Sequence, residues 1–101
     1  MAYRIVWSRT SQRDLRDLVR FISKDSPQRA ELFGYRIIAR VEMLQEQPRL
    51  GRVVPEFKHP DFHEVIVSPY RVIYRIKDGS GLIEVIRVWH AARDTPELEI
   101  E

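Results

Sequence analysis

The stretch 71–89 constrains the fold more than any other. Two β-prone runs, 71–77 and 82–89, flank Asp78-Gly79-Ser80-Gly81, and a tight turn at that point makes them antiparallel neighbours. With Gly79-Ser80 as a two-residue turn and Gly79 supplying the positive φ, Lys77 opposes Leu82, Arg75 opposes Glu84, Ile73 opposes Ile86 and Arg71 opposes Val88. Side chains alternate along a strand. The pairing therefore places Arg71, Ile73, Arg75, Glu84, Ile86, Val88 and His90 on one face, and Val72, Tyr74, Ile76, Ile83, Val85, Arg87 and Trp89 on the other. The second set is the more apolar and needs a cover.

Two amphipathic helices can supply it. Leu15, Leu18, Val19 and Ile22 form an i, i+3, i+4, i+7 stripe, and Ser11 followed by Asp14 reads as a capping box, so the first helix is expected over 12–24. Ser26-Pro27 is an N-cap followed by proline at the first helical position, and Ala30, Phe33, Ile37, Val41 and Leu44 continue a second stripe that ends before Pro48. Tyr3, Ile5 and Trp7 alternate as in a strand, and a third β-prone run covers 62–67. Between Pro48 and Asp61 three prolines and a glycine interrupt any period, which predicts a surface loop. The expected class is α+β in the order β-α-α-β-β-β, with a helical hairpin on one face of a small, mainly antiparallel sheet. Trp7 and Trp89 are expected in the core.

With 101 residues, 44% hydrophobic and 32% charged, the chain suits one domain over 1–101. It carries 17 bases against 15 acids, but 94–101 holds four acids and no base, leaving a body of +6 and an acidic tail. Fourteen of the bases are arginine, which favours forked contacts with phosphate or carboxylate. Absence of cysteine excludes disulfides, thiol nucleophiles and cysteine zinc sites. No apolar run reaches a membrane span and the first ten residues are too polar for a signal peptide, so a cytoplasmic protein is expected. His59 and His63 have i, i+4 spacing, but Pro60 between them breaks the helix a metal pair would need. No metal or cofactor is expected.

The element order, the segment SPYRVIYRI at 68–76 and the segment VIRVWHAARD at 85–94 together resemble the RelE/ParE superfamily of toxins from bacterial type II toxin–antitoxin modules. The resemblance covers nearly the whole chain. It implies one of two activities: RelE-like members cut mRNA in the ribosome, and ParE-like members inhibit DNA gyrase without cleaving RNA. On the RelE-like alternative, the resemblance implies that Arg71 matches the strand arginine near the scissile phosphate and Arg93 the arginine just beyond the last strand, with His90 a candidate acid or base. The competing readings are a strand cation paired with a carboxylate for Arg71, a salt bridge for Arg93, and a strand-end histidine bonded to backbone for His90.

RelE-like nucleases also carry a tyrosine in the C-terminal segment, and 95–101 has no tyrosine, lysine or histidine. An acidic tail would also repel phosphate. The favoured expectation is a ParE-like, non-enzymatic gyrase inhibitor. The resemblance implies a cognate antitoxin, ParD-like or RelB-like, in a hetero-oligomer. Gyrase is the expected target, with ribosome and mRNA as the alternative. Phe33 and Tyr35 are about 200° apart on a helix and cannot both be buried. With Arg9, Arg13, Arg16 and Arg20 on the first helix, they define the expected antitoxin-binding surface.

Overall fold

The strand Tyr70–Lys77 buries side chains on both of its faces, and covering both organises the molecule. The computed structural model describes residues 2–93. In chain order these form β1 (Arg4–Trp7), α1 (Arg9–Ser23), α2 (Pro27–Glu42), a 3₁₀ turn (Met43–Gln45), β2 (Arg52–Val53), β3 (Phe62–Val67), β4 (Tyr70–Lys77) and β5 (Leu82–His90). The sheet order is β1-β5-β4-β3-β2, with β1 parallel to β5 and the other pairs antiparallel. The expected α+β class and helical hairpin are what the structure shows. The acidic segment 94–101 lies outside the described residues. No helix is long and apolar enough to cross a membrane, among the described residues.

One face of the sheet carries Val65, Val67, Val72, Tyr74, Ile76, Ile83, Val85 and Val88 against Leu18, Ile37, Val41 and Leu44 of the helical layer. The start of α1 differs from the expected capping box at Ser11. The cap is Ser8, whose hydroxyl accepts from Ser11 N–H at 3.0 Å. Ser8 N–H still donates to Val85 C=O, so the chain passes from sheet ladder to helix within one residue and Ser11 is buried in the first turn. The Ser26-Pro27 start of α2 is as expected, with the Ser26 hydroxyl accepting from Arg29 N–H.

Pairing of β4 with β5 follows the expected register from Lys77↔Leu82 to Tyr74↔Val85 and then shifts. Ile86 is an extra residue in β5, so Ile73 opposes Arg87, Val72 opposes Val88, Arg71 opposes Trp89 and Tyr70 opposes His90. Such a bulge inverts the alternation of every residue beyond it. Val88 thereby joins the helix-side core, while Trp89 moves to the face of Arg71. The turn differs too: a 3₁₀ turn at Asp78–Ser80 closes on Gly81, which holds the positive φ of 60° in place of Gly79.

The expected surface loop at 48–61 is instead a strap across the second face. It contributes β2, the fully buried Val54 and the half-buried Phe57, which pack on Phe62, Ile73, Ile86 and Trp89. Four apolar side chains on that face demand such a cover. Two contacts tie the strap down. The Tyr74 hydroxyl donates to Pro48 C=O at 2.7 Å and accepts from Gly51 N–H at 3.1 Å. A Cβ on Gly51 would run into the Glu64 carbonyl and the Tyr74 hydroxyl, so only glycine allows the approach.

Candidate functional site

Arg71 lies on the strap side of β4, away from the helices, but is only 8% exposed, where the sequence suggested an open surface cation. Its Nη1 and Nη2 donate to the two Glu56 oxygens at 2.7 Å each, and its Nε donates to Glu64 Oε1 at 2.6 Å. The other Glu64 oxygen accepts from Arg52 Nε at 2.7 Å. The fork of Arg71 is therefore fully engaged by carboxylates, one of them wholly buried. The bonds from Arg71 hold Glu56 below the usual carboxylate range, and the two carboxylates raise Arg71 in turn. Glu56 and Glu64 were not singled out in the sequence. The available signal was Glu64, the one acid inside the apolar run FHEVIV.

His90 does not assemble with Arg71 into one site, whereas Arg93 packs on Trp89, the residue paired with Arg71. Beyond the bulge, His90 opposes Tyr70 and their rings meet edge to face at 5.1 Å, while Tyr70 packs on Phe33 and the helix-side core. His90 Nδ1 accepts from Ala92 N–H at 3.1 Å, a strand-end role. Arg93 lies over the Trp89 ring at 4.3 Å, and Arg87, bonded to Asp14 of α1, lies over the same ring at 4.7 Å. Arg71 and His90 thus belong to opposite faces of the β4–β5 hairpin, although the unbulged register had placed them together.

Two further histidines also diverge. His59 is an exposed loop residue whose ring meets Phe62 edge to face, whereas His63 is a buried β3 residue stacked on Tyr74. Burial and the nearby charge of Arg49 push His63 below its ordinary pKa. Its Nδ1 has no hydrogen-bond partner among the described residues.

The outer face of the helical hairpin is open. Arg9, Arg13, Arg16 and Arg20 are all exposed, and none has a carboxylate within ion-pair distance among the described residues. On α2, Tyr35 is 62% exposed, while Phe33 is half-buried against Tyr70 with Arg36 over its ring. The expected division between the two aromatics is therefore observed, with Tyr35 outward. Leu32, Tyr35, Ala39 and Met43 follow at i, i+3, i+7 and i+11, and all four are exposed. This second apolar stripe escaped the sequence reading because the core stripe already accounted for the helix.

Comparison with known proteins places this geometry. The family model described as the ParE toxin of a type II toxin–antitoxin system matches residues 5–95. The search of curated proteins returns no match. Among solved structures, the chromosomal ParDE system of P. aeruginosa matches with a TM-score of 0.71 at 20% identity, over 88% of this chain and 96% of that one. An E. coli RelE toxin variant in the free state gives 0.68 at 20% identity, over 91% and 86%. The RelBE2 toxin–antitoxin complex of Mycobacterium tuberculosis gives 0.60 at 21% identity, over 89% and 99%. The structural matches span both branches, so shape does not divide them. The family match, over nearly the whole chain, does identify the protein: it belongs to the ParE toxin family of type II toxin–antitoxin systems.

Proposed function

We propose that the chain inhibits DNA gyrase as a non-enzymatic toxin and is neutralised by a cognate ParD-like antitoxin. The observation that carries this reading is the state of Arg71, whose three donor nitrogens are taken by Glu56 and Glu64. A cation that must stabilise charge developing on a phosphate has to be available to it. Here that cation is part of the strap's attachment. The separation of His90 from Arg71 points the same way, since a base or acid on the opposite face cannot serve the same phosphodiester.

The antitoxin reading draws on the ParDE and RelBE relatives, whose structures are toxin–antitoxin systems. For its seat we favour the exposed stripe of α2 centred on Tyr35, with Leu32 and Met43 beside it. Aromatic anchors of this kind dominate binding energy at helix-in-groove interfaces. Phe33, largely packed inward, contributes at most its edge.

The deciding experiment adds purified toxin to gyrase supercoiling and to ribosome-bound mRNA in parallel. Loss of supercoiling with intact mRNA is expected, and in cells filamentation with DNA-damage signalling while translation continues. Cleavage of mRNA inside ribosomes with normal supercoiling would return the chain to the RelE-like reading.

A further inference from the structure

We infer that the solvent face of α1 is a track for the phosphate backbone of duplex DNA, with Arg9, Arg13, Arg16 and Arg20 as its contacts. This does not depend on the gyrase reading. It starts from spacing. Steps of four, three and four residues keep the four side chains within about 60° of the helix circumference and spread them over about 16 Å of its length. The result is a straight, narrow row of guanidiniums.

The row is unneutralised. Arg49, Arg52, Arg71, Arg87 and Lys77 each have a carboxylate partner, whereas no such pair forms along the α1 row among the described residues. Asp17 follows Arg13 by one turn but is not within ion-pair distance of it. The helix is penalised for this arrangement, because like charges at i, i+3 and i, i+4 repel. Arg9 also stands in the first turn, where the macrodipole disfavours a cation and no acid offsets it. A stripe that weakens its own helix fits a surface shaped by a polyanionic partner.

The chemistry of the row favours phosphodiester over an acidic polypeptide. No apolar side chain lies within the stripe; Phe21, the exposed aromatic of α1, is about 100° from Arg20 around the axis. Exposed arginine–carboxylate pairs contribute little one by one, so a peptide held there would need an apolar anchor that the stripe lacks. Duplex DNA needs none, since each neutralised phosphate releases condensed counterions. Single-stranded nucleic acid would be expected to use aromatic platforms for its bases, and the stripe has none. The arginine fork completes the match to phosphate oxygens.

The test is fluorescence anisotropy of the purified full chain with a fluorescein-labelled 20-base-pair duplex of arbitrary sequence, titrated between 50 and 200 mM salt. Four phosphate contacts at about −0.9 each give an expected slope of log K against log salt near −3.6. The double variant Arg13→Gln/Arg16→Gln should halve that slope with a melting temperature no lower than the parent's, since two mutually repelling charges are removed. Arg13→Lys/Arg16→Lys keeps the charge and should keep the slope, which guards against a folding artefact. Arg29→Gln, an exposed α2 position, should behave as the parent. Absence of binding at 50 mM salt, a slope unchanged in the double Gln variant, or equal competition by poly-L-glutamate would overturn the inference. So would tighter binding to a 20-nucleotide single-stranded RNA than to the duplex.

Discussion

The strap side of the sheet and the outer face of the helical hairpin are both rich in arginine, yet they use it in opposite ways. Beneath the strap, Arg71 is saturated by Glu56 and Glu64, and Arg52 shares Glu64; these charges hold a loop onto a sheet. On α1 the arginines stand in water and, among the described residues, have no carboxylate partner. A buried guanidinium paired with a buried carboxylate, as Arg71 is with Glu64, is fixed by desolvation, because separating the two leaves an uncompensated buried charge. An exposed one is held only by weak, screened interactions and remains available. Burial and pairing, which residue type alone does not reveal, separate structural arginine from binding arginine.

The largest expected effect breaks the strap side. Arg71→Ala leaves Glu64 buried with one partner in place of two and releases Glu56, so a loss of about 3–5 kcal/mol is expected by urea denaturation. The sequence-based expectation of an exposed Arg71 required a change within about 0.5 kcal/mol. An unfolding midpoint equal to the parent's would mean that the network does not hold the strap.

Next in size is Tyr74→Phe. The hydroxyl is the shared partner of Pro48 C=O and Gly51 N–H, and its removal leaves both without that bond beneath a covered surface. A loss of about 1–3 kcal/mol is expected, with amide exchange quickening first across the strap. Uniform quickening over the whole sheet would show that strap and sheet open as one unit.

A third effect depends on pH. Burial and Arg49 favour neutral His63 in the folded state, so its pKa there lies below the unfolded value of about 6.5. Between the two values the unfolded chain binds more protons. Stability is therefore fully present above pH 6.5 and declines as pH falls through that window, by at most about 1.4 kcal/mol per pH unit for one proton. Thermal melts at pH 7.5 and 5.5 should differ by more in the parent than in His63→Leu. Equal differences would move the sensitivity to another group.

Much of this fold was legible in the sequence, and the misses share a cause. The helical hairpin and three long strands follow from apolar periodicity, and the lower half of the β4–β5 register follows from where Lys77 and Leu82 must meet. The bulge at Ile86 does not, since VIRVWH alternates acceptably with or without an extra residue. That one insertion turns His90 to the face opposite Arg71, although the strands that carry both were placed correctly. The strap was read as surface because prolines and charges dominate it. What overrides that composition is the apolar second face of β4, and this is visible only once the sheet is assembled.

The smallest expected effect on stability sharpens the other half of the comparison. Tyr35 is mostly in water, so Tyr35→Ser removes little buried area and leaves no polar group stranded. Its own stability should change by no more than about 0.5 kcal/mol. If the outer face of α2 is the antitoxin's seat, the same substitution removes a central aromatic anchor, and affinity should fall by about 2 kcal/mol or more, roughly thirtyfold. Calorimetric titration with the cognate antitoxin reads the affinity, and a thermal melt of the free toxin reads the stability. Arg71→Ala should give the reverse profile, a poorly stable toxin whose folded fraction still binds. A Tyr35→Ser protein that binds as the parent does would move the antitoxin off this stripe and leave the exposed apolar row on α2 without an assigned partner.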